Sequence, residues 1–178
     1  LYHWDLPQKI QDQGGWSNRD TAKKFADYAD IVARKYSDKV NFFSTFNEPA
    51  VFTIHGLVDG YMAPGIVDMD HFNAAVHHVN LAHGLGLQSM RSNKKNLELG
   101  CVLNLSPCIP SSDKKEDIEG TEVYDMYWNR IFLEPMYKGK YPNRFLKNID
   151  KYFQENDMKI INQKNDYIGL NHYQHTRV

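Results

Sequence analysis

Short runs of β-branched and aromatic residues alternate along this chain with longer helical patterns, and no other feature restricts its fold as much. Val40-Asn41-Phe42-Phe43-Ser44-Thr45-Phe46 reads as a strand, residues 98–105 as another and residues 167–172 as the last. Leu1-Tyr2-His3-Trp4 reads as the end of a first strand already under way. Between them, Ala22, Phe25, Ala29, Val32 and Tyr36 recur at three- and four-residue spacing, which predicts a helix over 18–36 with Asn18 as its cap. Phe72, Ala75, Val76, Val79 and Ala82 make the stripe of a second helix over 70–91, where Gly84 and Gly86 mark close packing against a neighbour. Further helices are expected from the charged segment 113–119 to about Gly139, and over 143–153. The stretch 49–68, with Gly56, Gly60, Pro64 and Gly65, reads as a long loop. Such alternation argues for a parallel sheet built from βαβ units.

Four strands fill these 178 residues. An eight-stranded barrel at this spacing would need over twice the length, so the chain reads as one partial (β/α)₈ barrel domain over residues 1–178, a piece of a longer chain. Each strand delivers polar or aromatic groups at its C-terminal end: His3-Trp4-Asp5, then Asn47-Glu48, then Asn104, then Asn171-His172-Tyr173. Pro49 biases Glu48 away from the α region, so the strand stops there with a carboxyl at its tip. In parallel α/β folds that edge is where chemistry is done, and a rigidly held carboxyl suits general acid or base work. Taken singly, His3 reads as a hydrogen-bonded structural histidine, Asn171 as a turn cap and Tyr173 as a half-buried core residue. Their convergence on one edge carries the functional reading.

Other features narrow the possibilities. A formal charge of −1 gives no electrostatic reason for nucleic acid or an anionic membrane as partner. No apolar run approaches the roughly 18 residues of a membrane span. Cys101 and Cys108 match no zinc or redox spacing and read as reduced thiols of a cytoplasmic protein. His77, His78 and His83 lack an interleaved acid and read as solvated or capping histidines rather than metal ligands. Gly84-Leu85-Gly86 follows no strand and is no dinucleotide loop.

Leu1-Tyr2-His3-Trp4-Asp5-Leu6-Pro7, Gly14-Gly15-Trp16, Thr45-Phe46-Asn47-Glu48-Pro49, Ala63-Pro64-Gly65 and Asp166-Tyr167-Ile168-Gly169-Leu170-Asn171 resemble, in order, the blocks of glycoside hydrolase family 1. That family comprises β-glucosidases, 6-phospho-β-glycosidases and relatives. The resemblance implies a (β/α)₈ barrel of which this chain spans about the third to sixth strands. It implies retaining hydrolysis of terminal β-linked glucose or galactose, without metal or organic cofactor. Glu48 would be the acid/base. His3 and Trp4 would hydrogen-bond and pack against the sugar, and Asn47 would hold its 2-hydroxyl. Asn104 and Asn171 would support the site floor, and Tyr173 would hydrogen-bond the nucleophile.

The nucleophile itself comes, in the family, from a Thr-Glu-Asn-Gly context on the seventh strand, and this sequence has no such motif. Asp5 reads as a structural group and Asp166 lies at the opposite barrel end, so neither substitutes. Ala50 replaces the tryptophan common after Asn-Glu-Pro, and His172 stands where a tyrosine is usual; both bear on leaving-group preference. A 6-phospho-β-glycosidase is the rival within the class, and a non-catalytic sugar-binding fragment the rival outside it.

Overall fold

The computed structural model describes residues 1–93 and 96–178. A short helix, Gln8–Gln11 (α1), and a long one, Asp20–Tyr36 (α2), lead to strand Phe42–Asn47 (β1). Helix Pro49–Leu57 (α3) follows at once, then Met69–Asn93 (α4) and strand Glu98–Asn104 (β2). A two-residue strand, Cys108–Ile109 (β3), precedes Lys115–Asp125 (α5), which continues through a π-helical turn, Met126–Arg130, into Ile131–Lys138 (α6). Asn143–Ile149 (α7), Asp157–Ile161 (α8), strand Tyr167–Asn171 (β4) and strand Thr176–Arg177 (β5) complete the order.

Strands β1, β2 and β4 pair in parallel, in that order, as the alternation predicts. The expected first strand is reduced to one bridge: Tyr2 N donates to Thr45 O at 3.0 Å and Asn47 N donates to Tyr2 O at 3.0 Å. Pairing stops there because Trp4 takes up φ 80°, which turns the chain out of the extended direction. One face of the sheet carries Phe43, Leu99, Cys101 and Leu103, all buried. The other carries Ser44, Gly100 and Tyr167 in one row and Asn104 and Asn171 in another nearer the C-terminal edge. The Tyr167 ring lies over Gly100, where a Cβ would approach it to 3.0 Å, and its hydroxyl reaches Ser44 Oγ at 2.7 Å.

The stretch read as a loop begins instead with α3, seven of whose nine residues are buried. Pro49 ends the strand as expected, but its fixed φ and missing N–H also suit the first position of a helix. With both sides of the helix covered, no apolar stripe betrays it. The two-residue strands β3 and β5 are also absent from the sequence reading; they pair in parallel, Cys108 opposite Thr176.

Helix α4 is the post against which the rest packs. Gly86 lets the Phe25 ring of α2 approach, and a Cβ on Gly84 would meet Ile160 O at 1.9 Å. The close packing expected of these two glycines is therefore present. His77, His78 and His83 of α4, read from the sequence as solvated or capping, are instead all buried. The correction follows from α4 being covered on nearly every side, so that each imidazole needs a partner inside the core. His77 Nε2 donates to Asp157 at 2.8 Å, His78 Nδ1 donates to Trp16 O at 3.1 Å, and His83 Nδ1 lies 2.7 Å from Thr45 Oγ1. Arg19 completes an ion pair with Asp157, which is 1% exposed. Burial opposes the Asp157 charge, but Arg19, His77 and the Gln154 N–H outweigh it and hold the carboxyl below its ordinary range.

Burial lowers His78 from 6.5 to about 4 and His83 from 6.5 to about 3. Between those values and 6.5 the unfolded chain binds more protons, so neutral histidines stabilise the fold fully above pH 6.5 and progressively less below it. Each such group removes about 1.4 kcal/mol of stability per pH unit in that window. Denaturant unfolding of the whole protein between pH 6.5 and 4 should show this decline, and His78→Asn, which keeps a donor toward Trp16 O, should make it shallower.

Candidate active site

Every group singled out at the strand ends comes to one edge of the sheet, but they engage one another unequally. A register shift between Ser44 and Asn47 sets Asn47 opposite Val102 at the end of β1. Glu48 then adopts φ 51°, ψ 63°, which ends the strand and opens α3. Its N–H donates to Val102 O at 2.8 Å and its carbonyl accepts from Val51 N at 3.0 Å. The side chain is thereby folded back over the strand ends, leaving Glu48 only 5% exposed.

A buried carboxylate needs donors. Asn171, at the end of β4, supplies Nδ2 to Glu48 Oε1 at 2.8 Å and lies 3.2 Å from Asn47 Oδ1. The Tyr173 hydroxyl donates to the same Glu48 oxygen at 3.4 Å. Asn47 Nδ2 donates in turn to His3 Nε2 at 3.4 Å. The result is one polar row, His3–Asn47–Asn171–Glu48–Tyr173, spanning the bridge at Tyr2 and the sheet as far as β4.

Two residues sit differently. Trp4 contacts the row through the backbone, its Nε1 donating to Asn47 O at 2.9 Å, a partner that no sequence pattern announces. Asn104 stands in register with Asn171, yet no hydrogen bond joins its side chain to Glu48 among the described residues. It borders a small gap with Pro49, Ala50, Trp128 and Asn129. Tyr173 is 76% exposed, not half-buried in a core.

The surrounding loops are pinned. Asn129, presented by the π-helical turn, accepts from Ser106 N at 3.0 Å and donates to Ser106 O at 2.8 Å. The β3–β5 pair ties together the segments leaving β2 and β4, and His172 Nδ1 donates to Leu105 O at 3.0 Å. Asp166 sits at the start of β4, away from this edge, and binds Arg91, Lys164 and Leu99 N. Cys101 is buried and its thiol is pushed up to about 12 by that burial, so it stays protonated. A cleft of about 800 Å³ opens beside the site, lined by Trp4, Asp5, Gln11, Trp16 and Phe52 but not by Glu48. Among the described residues no group of three or more His, Cys, Asp or Glu is placed to hold a metal ion, and no helix is long and apolar enough to cross a membrane.

The family model for glycosyl hydrolase family 1 matches residues 1–178. The chain belongs to that family. Its relatives include β-glucosidase A of Acetivibrio thermocellus, 40% identical across 97% of this chain and 40% of the relative, and the β-glucosidase of an Agrobacterium species, 39% identical across all of this chain and 39% of the relative. Among solved structures, a psychrophilic β-glucosidase from Micrococcus antarcticus superposes with TM-score 0.96 at 38% identity, covering 99% of this chain and 39% of that one. The family 1 β-glucosidase of Thermotoga maritima, solved with isofagomine lactam, gives TM-score 0.91 at 37% identity over 99% and 41%. The chain thus spans about two-fifths of the length of these family 1 members, and its fold is a partial (β/α) barrel.

The hydrogen bond from Asn171 satisfies a carboxyl oxygen that has little access to water. Asn171→Leu should therefore lower stability by about 1–3 kcal/mol, the penalty of an under-satisfied buried acceptor, measured by denaturant unfolding. Asn171→Asp, which replaces the donating amide by a second acceptor beside Glu48, should also destabilise by the same measurement.

Proposed function

We propose that this chain supplies the acid/base half of a retaining β-glycosidase of the β-glucosidase type, acting on terminal β-linked glucose or galactose. The observation that carries the reading is the Glu48 carboxyl, buried at a strand end and held by Asn171 and Tyr173 in a row that also contains Asn47 and His3. The names of the relatives agree with it. In this reading Glu48 protonates the departing glycosidic oxygen while a carboxylate attacks the anomeric carbon. Glu48 then takes a proton from water, whose oxygen displaces the enzyme carboxylate and releases the sugar.

Each neighbour has a part. Asn47 presents an amide to the sugar 2-hydroxyl, exchanging its bond to His3 for one to substrate. His3, exposed beside it, meets the next hydroxyl, and the Trp4 ring packs against the sugar. Asn171 keeps Glu48 in place, and Asn104 supports the floor on the Ala50 side. The nucleophile lies outside these 178 residues, about 5–5.5 Å from Glu48 as a retaining pair requires, with Tyr173 as its hydrogen-bond donor. Residues 1–178 form part of one barrel domain. Two free thiols, Cys101 and Cys108, suit a cytoplasmic setting.

In the whole protein, Glu48→Gln should lower kcat/KM for an alkyl β-glucoside by about 10²–10⁴-fold, the usual weight of a general acid. Wild-type turnover that survives this substitution would overturn the assignment. Residues 1–178 expressed alone should hydrolyse no aryl β-glucoside, since among the described residues no second carboxyl is hydrogen-bonded into the Glu48 row. Turnover by that piece would show that the nucleophile is inside it. Binding of gluconolactone without turnover would favour the non-catalytic sugar-binding reading for the piece.

A further inference from the structure

Two residues of the site other than glycine stand in the left-handed region, Trp4 at φ 80° and Glu48 at φ 51°. Neither side-chain type favours that conformation, so something must hold each of them there. One hydrogen bond links the two: Trp4 Nε1 donates to Asn47 O at 2.9 Å. That oxygen belongs to the peptide whose nitrogen is Glu48 N, and Glu48 N donates to Val102 O at 2.8 Å. The Asn47–Glu48 peptide is therefore held at both polar atoms, its oxygen from the segment on one side and its nitrogen from β2 on the other.

With its oxygen released, the peptide would lose the contact that fixes ψ of Asn47. A change in that angle that is not compensated at Glu48 turns Glu48 as a whole. Its carboxyl would then shift relative to Asn171, which approaches from a different strand. The indole N–H has a single proton and no acceptor function. Bound to Asn47 O, it has none left for a sugar hydroxyl.

Resting on the acid/base reading of Glu48, we propose that Trp4 is a positioning residue whose indole N–H anchors the Asn47 carbonyl at the strand end and so fixes where the acid stands against the leaving-group oxygen. The ring can still line the sugar pocket, but the polar contact of Trp4 serves the acid and not the sugar. The expected signature is a defect in proton donation, larger where the leaving group needs a proton than where it does not.

The test uses the whole protein with two substitutions at position 4. Trp4→Phe removes the N–H. Benzothienylalanine at the same position replaces only that N–H by sulfur and keeps the volume, which guards against a folding defect. Both should lower kcat/KM for an alkyl β-glucoside by about tenfold or more, part of the full weight of the acid. Both should lower kcat/KM for the 2,4-dinitrophenyl β-glucoside, and inhibition by gluconolactone, by a clearly smaller factor, the part owed to the ring's contact with the sugar. Glu48→Gln measured alongside should show the same selectivity in larger degree. If both position-4 variants match wild type on the alkyl glucoside, or if both substrates weaken by the same factor, the positioning role is overturned. If Glu48→Gln itself shows no dependence on leaving group, the acid/base reading fails, and this inference with it.

Discussion

Parallel pairing of β1, β2 and β4 is the constraint on which the rest of this structure depends. It ends all three strands at one edge and sends alternate side chains to the same face, so groups distant in sequence meet without any loop having to fold around them. Asn47 and Asn171 are 124 residues apart yet within 3.2 Å of one another. On the opposite face Phe43, Leu99, Cys101 and Leu103 of β1 and β2 are buried and fix the register, while Ile168 and Leu170 of β4 on that face are exposed. A slip of one residue would exchange the faces, placing polar residues in the core and apolar ones at the site.

The helix that covers this sheet contains more polarity than a packed helix is expected to. His77, His78, His83 and Asn80 are all buried in α4, and each has a protein hydrogen bond. His83 reaches Thr45 on β1, and His77 reaches Asp157 on α8, so two of the bonds join α4 to different elements. Thr45 lies only three residues from Glu48. The polar core of α4 therefore helps to fix the strand that ends at Glu48, in addition to the apolar contacts on which hydrophobic burial depends.

The strands and α2 were legible because each has one period and one covered face, and α4, though covered on nearly every side, still repeats Phe72, Ala75, Val76, Val79 and Ala82 at helical spacing. The two central strands alternate, and α2 shows an apolar stripe, so composition and spacing suffice. The elements that escaped are those whose sequence carries no such contrast. Helix α3 is apolar nearly throughout, and its proline was read as a stop when it is also a start. The β3–β5 pair is too short for any pattern. The α4 histidines were misplaced because polarity was taken for exposure, and the partners that make their burial tolerable lie 38 to 80 residues away. At the site, the residue types and the shared edge were readable. The pairing of Asn171 with Glu48 and of Trp4 with Asn47 O was not, since both depend on backbone angles at Trp4 and Glu48 that the sequence does not announce.

On the proposed reading, Tyr173 has a conflict to resolve. Its hydroxyl carries one proton, now directed at Glu48 over a long 3.4 Å contact, while the side chain is otherwise largely exposed. A retaining pair places the second carboxylate only about 5–5.5 Å from the first, close enough for one hydroxyl to serve either but not both. An ionised nucleophile is the better acceptor, so it draws the Tyr173 proton away and leaves Glu48 with Asn171 alone. In such pairs the like charge of one carboxylate also favours a proton on the other. On that reading the same exchange would support the nucleophile as an anion and leave Glu48 free to act as an acid, and a contact as long as 3.4 Å is one that Tyr173 gives up at little cost.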